Sequence, residues 1–115
     1  MLFRSVNWLL LSQLQLVTDQ PMEQVFDSLE LSMLTGPNEG YLTAERGTYG
    51  VSLWERLSPD LQRRAALDLA GRETGGNERL RAVLSAQPER VRKELRAAML
   101  ATGLSPREIE KRLAF

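Results

Sequence analysis

Apolar residues recur at helical spacing along most of this chain. The clearest case is the segment 22–34, where an apolar stripe opposes a face of acidic and amide side chains. Segment 6–17 follows the same period, but extra leucines widen its apolar surface, so we predict a helix with neighbours on more than one side. The stripe of the 22–34 segment consists of Met22, Val25, Phe26, Leu29 and Met33.

Turn residues separate these two predicted helices from each other and from the rest of the chain. We expect Asp19 to cap the second helix, with Pro21 in its first turn, where no intrahelical N–H is needed. Gly36 is expected in the left-handed position after that helix, and Pro37 cannot continue it. The pattern therefore predicts a helical hairpin over residues 6–34.

A long central helix is predicted over residues 38–56. Gly47 and Gly50 lie inside it, and a glycine in a helix interior costs roughly 1 kcal/mol relative to alanine. We therefore expect another helix to approach closely at these two positions. The predicted helix is apolar on two sides, which indicates that it lies between neighbours.

The remainder of the chain reads as four shorter helices separated by turn signals. Ser58 and Pro59 are typical of a helix start, and Ser105 with Glu108 matches a capping box. No segment alternates with a period of two, so no strand is predicted. We predict an all-α fold of about seven helices, the last four covering residues 58–70, 78–86, 88–102 and 106–113.

Composition excludes several kinds of chemistry. The 115 residues, enough for one domain, include no cysteine and no histidine, which removes thiolate nucleophiles, cysteine metal ligands and the commonest general base. No glycine-rich phosphate loop follows a strand, and the acidic pairs lie on a regular polar helix face. We therefore expect a protein that is not an enzyme and that has no cofactor and no metal site.

Charge is unevenly distributed along the chain. Residues 1–45 hold one base and six acids, a net charge of −5, whereas residues 46–115 hold fourteen bases and nine acids, a net charge of +5. Solvated helix faces explain this simply, but a dipolar molecule could also stack head to tail on copies of itself. Thirteen of the fifteen bases are arginine, which fits a GC-rich bacterial genome.

The first five residues do not resemble natural protein sequence. Leu2-Phe3-Arg4-Ser5 is what the end of a common sequencing adapter encodes in one reading frame, so we expect residues 1–5 to be a non-native scar. A signal or anchor upstream of the scar would be invisible, and without one we expect the cytoplasm. The apolar run 8–17 contains polar residues and is too short to cross a membrane.

Part of the chain resembles the tetratricopeptide repeat, whose signature is W-x2-L-G-x2-Y … A-x3-F … P. Trp8-x2-Leu11-Ser12-x2-Gln15, Val25-x3-Leu29 and Pro37-Asn38 match it loosely. Segment 6–38 therefore looks like one degenerate repeat and segment 39–70 like a second. The second departs from the pattern, because its first helix is too long, its second helix lacks the aromatic residue and no proline closes it.

The resemblance implies antiparallel helical hairpins stacked as a short α-solenoid that binds a protein partner. It implies two helix pairs over 6–71 and a helical cap over 78–115. Between them, Gly75-Gly76 predicts a flexible linker over 72–77. The first helices of such repeats line the concave face, which nominates the aromatic and arginine residues of the central helix as the partner surface. These candidates are Tyr41, Arg46, Tyr49 and Trp54.

The sequence also allows a purely structural interpretation of these residues. In it, Tyr49 and Trp54 belong to the core and Arg46 pairs with a local acid, Glu39 or Glu45.

The leading functional prediction is a non-catalytic helical-repeat fragment that mediates protein–protein interaction. The alternative is a small nucleic-acid-binding or regulatory domain that uses the basic C-terminal helices. Segment 97–113 resembles the first half of a bacterial helix-turn-helix, but no recognition helix follows Leu113, so nucleic acid is not the partner we expect. Salt-sensitive binding to DNA or RNA would separate the two functions.

Overall fold

The computed structural model describes residues 4–36, 40–71 and 78–113. Within these ranges the chain forms seven α-helices and one short 3-10 turn at Trp54–Arg56, and no strand, so the predicted all-α fold is confirmed. The helices are α1 (Ser5–Val17), α2 (Met22–Thr35), α3 (Gly40–Ser52), α4 (Pro59–Leu69), α5 (Glu78–Ala86), α6 (Glu89–Ala101) and α7 (Pro106–Leu113).

Contacts divide the chain into two compact units, 1–39 and 40–115. The first unit contains α1 and α2. In the second, α3 packs on α4 and α5, and α4 packs on α6. Helix α3 therefore has two neighbours in the second unit, α4 and α5. The predicted linker 72–77 lies outside the described residues.

Serine hydroxyls join the two helices of the first unit. Ser12 Oγ on α1 donates to the Val25 carbonyl at 2.7 Å, and Ser32 Oγ on α2 donates to the Ser5 carbonyl at 2.7 Å. The later position on α1, Ser12, pairs with the earlier position on α2, Val25, and Ser5 pairs with Ser32. Helices α1 and α2 therefore run antiparallel. The donating serines are fully buried, and their bonds to the facing backbone satisfy hydroxyls that would be costly to bury alone.

The turn between α1 and α2 differs from the prediction. Asp19 adopts a left-handed conformation with φ of 57°, and the N–H of Gln20 donates to the Gln15 carbonyl at 2.9 Å. Asp19 therefore occupies the position after α1 that glycine usually takes, instead of capping α2. Pro21 precedes α2 as its N-cap residue and provides no side-chain cap. At the other end of α2, Gly36 has φ of −150°, so it does not adopt the left-handed conformation that we predict from the sequence.

The long central helix predicted over 38–56 is wrong at its C-terminal end. The α-helix stops at Ser52, and the N–H of Leu53 donates to the carbonyl of Gly50, three residues earlier, at 3.1 Å. A 3-10 turn follows. This tightening directs both Trp54 and Leu57 into the interior. Residues 38 and 39, its predicted start, lie outside the described ranges.

Three other helix ends agree with the sequence pattern. Ser58 Oγ accepts the N–H of Leu61 at 3.2 Å and so caps α4, and Ser105 Oγ accepts the N–H of Glu108 at 3.2 Å and so caps α7. Gly103 follows α6 with φ of 99°, in the region that favours glycine. Local capping chemistry therefore sets the ends of α4, α6 and α7.

Candidate functional site

Helices α3 and α4 approach each other closely at two glycines. A Cβ on Gly47 would lie 2.8 Å from Cγ of Leu69, and a Cβ on Gly50 would lie 2.9 Å from Cβ of Ala65. These distances confirm the close approach that the interior glycines predict. The two pairings also show that α3 and α4 run antiparallel, since the higher position on α3 meets the lower position on α4.

We predict that Gly50→Ala lowers the free energy of unfolding by about 1–3 kcal/mol, despite the better helix propensity of alanine. The reason is that Cβ of Ala65 is fixed to the α4 backbone, so the helices must separate to admit a new methyl group. Urea unfolding monitored by circular dichroism measures the change. An unchanged or raised stability would show that α3 and α4 are not in close contact at Gly50.

A buried ion pair lies beside these glycines. Arg46 on α3 is fully buried, and its guanidinium donates from Nε to Oδ2 of Asp68 and from a terminal nitrogen to Oδ1, both at 2.8 Å. Glu45 instead accepts a hydrogen bond from Arg79 of α5 at 3.1 Å. Glu45 as the partner of Arg46 is therefore wrong, because Glu45 is exposed whereas Arg46 faces α4. Glu39, the other predicted partner, lies outside the described residues.

Burial changes the titration of Asp68. It raises the pKa of Asp68 above its ordinary value, because a carboxylate loses its hydration in the interior, while the hydrogen bonds and charge of Arg46 act in the opposite direction. The two groups satisfy each other in bidentate geometry, which suits a structural link better than a reactive centre.

The four residues predicted as a partner surface do not form one exposed patch. Trp54 is 1% exposed, which agrees with its interpretation as a core residue, and Arg46 is buried as described. Tyr49 is half-buried, and the side chain of Tyr41 lies outside the described part. Arg46 and Trp54 are therefore unavailable to a partner in this structure, because Arg46 faces α4 and the 3-10 turn after α3 directs Trp54 into the interior.

Trp54 is also unusual in its hydrogen bonding. Its indole N–H is buried and has no acceptor among the described residues, while its backbone carbonyl accepts a hydrogen bond from the Gln62 amide at 2.9 Å. An unpaired buried donor costs free energy, so the burial of the ring must offset that cost.

An exposed apolar surface lies on α1. Leu10, Leu14 and Val17 are 57%, 58% and 76% exposed, and their spacing of four and three residues places them on one helix face. We call these three residues the α1 stripe. The helix meanwhile buries Ser5 and Ser12. Helix α1 therefore buries two serines together with Leu9 and leaves three larger apolar side chains exposed to solvent.

Sequence reasoning recognised that this helix is apolar on more than one side but missed the serines. A usable signal was present, because Ser5 and Ser12 are seven residues apart and share a helix face with Leu9.

The described ranges contain no group of three or more acidic side chains placed to hold a metal ion. Nor does any helix in those ranges have the length and apolar character needed to cross a membrane. No protein-family model, curated protein or solved structure matches the chain.

Proposed function

We propose that this chain is a non-catalytic helical protein that acts by binding another protein through the α1 stripe. The exposed side chains of Leu10, Leu14 and Val17 carry this proposal. Contiguous exposed apolar side chains on a folded protein are typical of interaction surfaces. Full burial of a leucine or valine side chain stabilises by about 1.5–3 kcal/mol, so covering the exposed parts of these three side chains supplies a few kcal/mol.

The outer face of α3 provides a comparison within the same chain. Its more exposed positions carry Glu45, Tyr49 and Ser52, at the same spacing of four and three residues. That face has the polar character expected of a surface left in water. Helix α1 contains no charged residue at all, so a partner could cover the α1 stripe without burying an unpaired charge of this helix.

A tetratricopeptide-like arrangement is part of the proposal. Helices α1 and α2 form one antiparallel pair, and α3 and α4 form a second, each joined by close side-chain contacts. Paired helices of this kind bury their apolar faces by stacking on further pairs, which gives an exposed apolar helix a natural role as a stacking or binding surface.

Nucleic-acid binding is the second candidate function. Residues 89–113 contain seven bases and four acids, which supports attraction to phosphates. Two α6 arginines have protein partners, however: Arg90 pairs with Glu55, and Arg92 donates to the Leu84 and Gln87 carbonyls. Steeply salt-dependent binding of DNA to the purified chain would favour this second function.

We predict that a photo-crosslinking amino acid at position 14 forms discrete covalent protein adducts in cells that naturally make the protein. The same amino acid at position 67 is the matched control, because Leu67 on α4 is 47% exposed but isolated from the α1 stripe in sequence. Mass spectrometry of the adducts measures the result. Equal labelling at both positions, or no adduct at position 14, would contradict the proposed function.

A further inference from the structure

An apolar notch lies between α6 and α7 in the second unit. It has a volume of about 80 Å³, and Leu100 beside it is 48% exposed. Charged side chains stand beside its apolar ones. The notch is lined by Arg96, Leu100, Pro106, Ile109 and Glu110.

The notch and the α1 stripe lie on parts of the chain with opposite charge. Residues 5–35, which form α1 and α2, contain four acids and no base, a net charge of −4. Residues 89–113, which form α6 and α7, contain seven bases and four acids, a net charge of +3. The exposed apolar stripe is therefore carried by an acidic hairpin, and the apolar notch is carried by a basic one.

We propose that the α1 stripe of one copy docks on the α6–α7 notch of a second copy, head to tail. This inference rests on the proposed function and names the partner as another copy of this chain. Leu14, the central residue of the stripe, packs on Leu100. The acidic α2 then lies against basic side chains of α6 and α7, so that charge complementarity sets the orientation of the two copies.

A two-fold contact between the α1 stripes of two copies is disfavoured by the same charges. It would bring two acidic hairpins together, each with a net charge of −4, whereas the head-to-tail contact joins −4 to +3. A head-to-tail contact uses two different surfaces and leaves one of each free at the ends of a dimer, so further copies can add to it. Its small apolar area predicts weak, concentration-dependent association.

Sedimentation velocity of the purified full chain over a range of concentrations tests this proposal. We expect the average sedimentation coefficient to rise with concentration and the rise to shrink at high salt, because screening weakens the attraction between exposed charges. Leu14→Glu removes the stripe, and Leu100→Glu removes the notch. We expect each variant alone to lose the concentration dependence, and Leu67→Glu, the matched exposed control, to retain it.

A mixture of the two inactive variants gives the sharpest result. Leu14→Glu keeps an intact notch and Leu100→Glu keeps an intact stripe, so we expect the mixture to form a one-to-one dimer and nothing larger. That restoration also shows that both variants are folded. Failure of the mixture to associate, retained association in Leu100→Glu alone, or a wild-type chain that stays monomeric at every concentration would each overturn the proposal.

The crosslinking experiment keeps this inference separate from the proposed function. Adducts at position 14 with twice the mass of the chain support a second copy as the partner. Adducts with a different protein only, together with a monomeric chain in the centrifuge, would overturn the second copy and leave the proposed function standing.

Discussion

Replacing Arg46 with methionine should lower the free energy of unfolding by about 3–5 kcal/mol. The substitution keeps much of the side-chain volume but leaves the Asp68 carboxylate buried, without the two 2.8 Å hydrogen bonds from the guanidinium. A buried charge without a partner lowers the free energy of unfolding by more than the ion pair raises it. The reason is that both groups have already lost their hydration in the folded state. Urea unfolding in a Trp8→Phe background, followed by the fluorescence of Trp54, reports on the second unit.

The matched control is the double variant Arg46→Met with Asp68→Leu. It removes both charges together, so we expect its stability to return to within about 1 kcal/mol of the wild type or to exceed it. Asp68→Leu measured alone completes the double-mutant cycle, and the resulting coupling energy isolates the ion pair from the lost side-chain packing. If Arg46→Met alone costs less than about 1 kcal/mol, the pair is accessible to water and α3 does not pack on α4 as described.

Replacing Trp54 with alanine should lower the free energy of unfolding by about 3–5 kcal/mol. The indole ring is almost completely buried just after α3, so its removal leaves a cavity that the surrounding helices can fill only in part. Thermal and urea unfolding followed by circular dichroism measure the loss.

Trp54→Phe is the informative control for this prediction. Phenylalanine keeps most of the apolar ring and removes an indole N–H that has no acceptor among the described residues. Because no hydrogen bond is lost, we expect a cost below about 1.5 kcal/mol. A cost equal to that of Trp54→Ala would mean that the indole N–H makes a strong hydrogen bond in solution, or that the ring edge carries most of the packing.

Sequence reasoning was most successful where the cause is local. The period of apolar residues predicted α1 and α2 to within one residue, and the serine at position 58 marked the start of α4. Gly47 and Gly50 predicted a close helix contact because a glycine inside a helix needs a compensating reason. These features depend on residues only a few positions apart, so the local sequence is enough to predict them.

The errors arose where distant residues decide the outcome. Asp68 lies 22 positions from Arg46, so the sequence offered a nearer acid, Glu45, which binds Arg79 instead. A useful signal was present, because Arg46 and Asp68 each interrupt an otherwise apolar helix face. The break after Ser52 was also missed, because only tertiary packing requires Trp54 and Leu57 to turn inward together.

The candidate surface moved from α3 to α1 for a similar reason. Aromatic and arginine residues suit an interface, but the same residue types also fill the interior of a helix that lies between neighbours. The sequence could not show which apolar side of a helix would be covered. Packing buries eight of the eleven residues 42–52 of α3, whereas it leaves Leu10, Leu14 and Val17 of α1 exposed to solvent.

The most direct test of the account is the stability of Leu14→Glu, measured by urea unfolding at a concentration low enough to prevent self-association. Leucine and glutamate have similar helix propensities, and Leu14 is exposed, so we expect a change within about 0.5 kcal/mol. Leu9→Ala, at a buried position of the same helix, should cost about 2–5 kcal/mol in the same assay. A loss of about 2 kcal/mol or more for Leu14→Glu would place Leu14 in the folded core and contradict a free contact surface on α1.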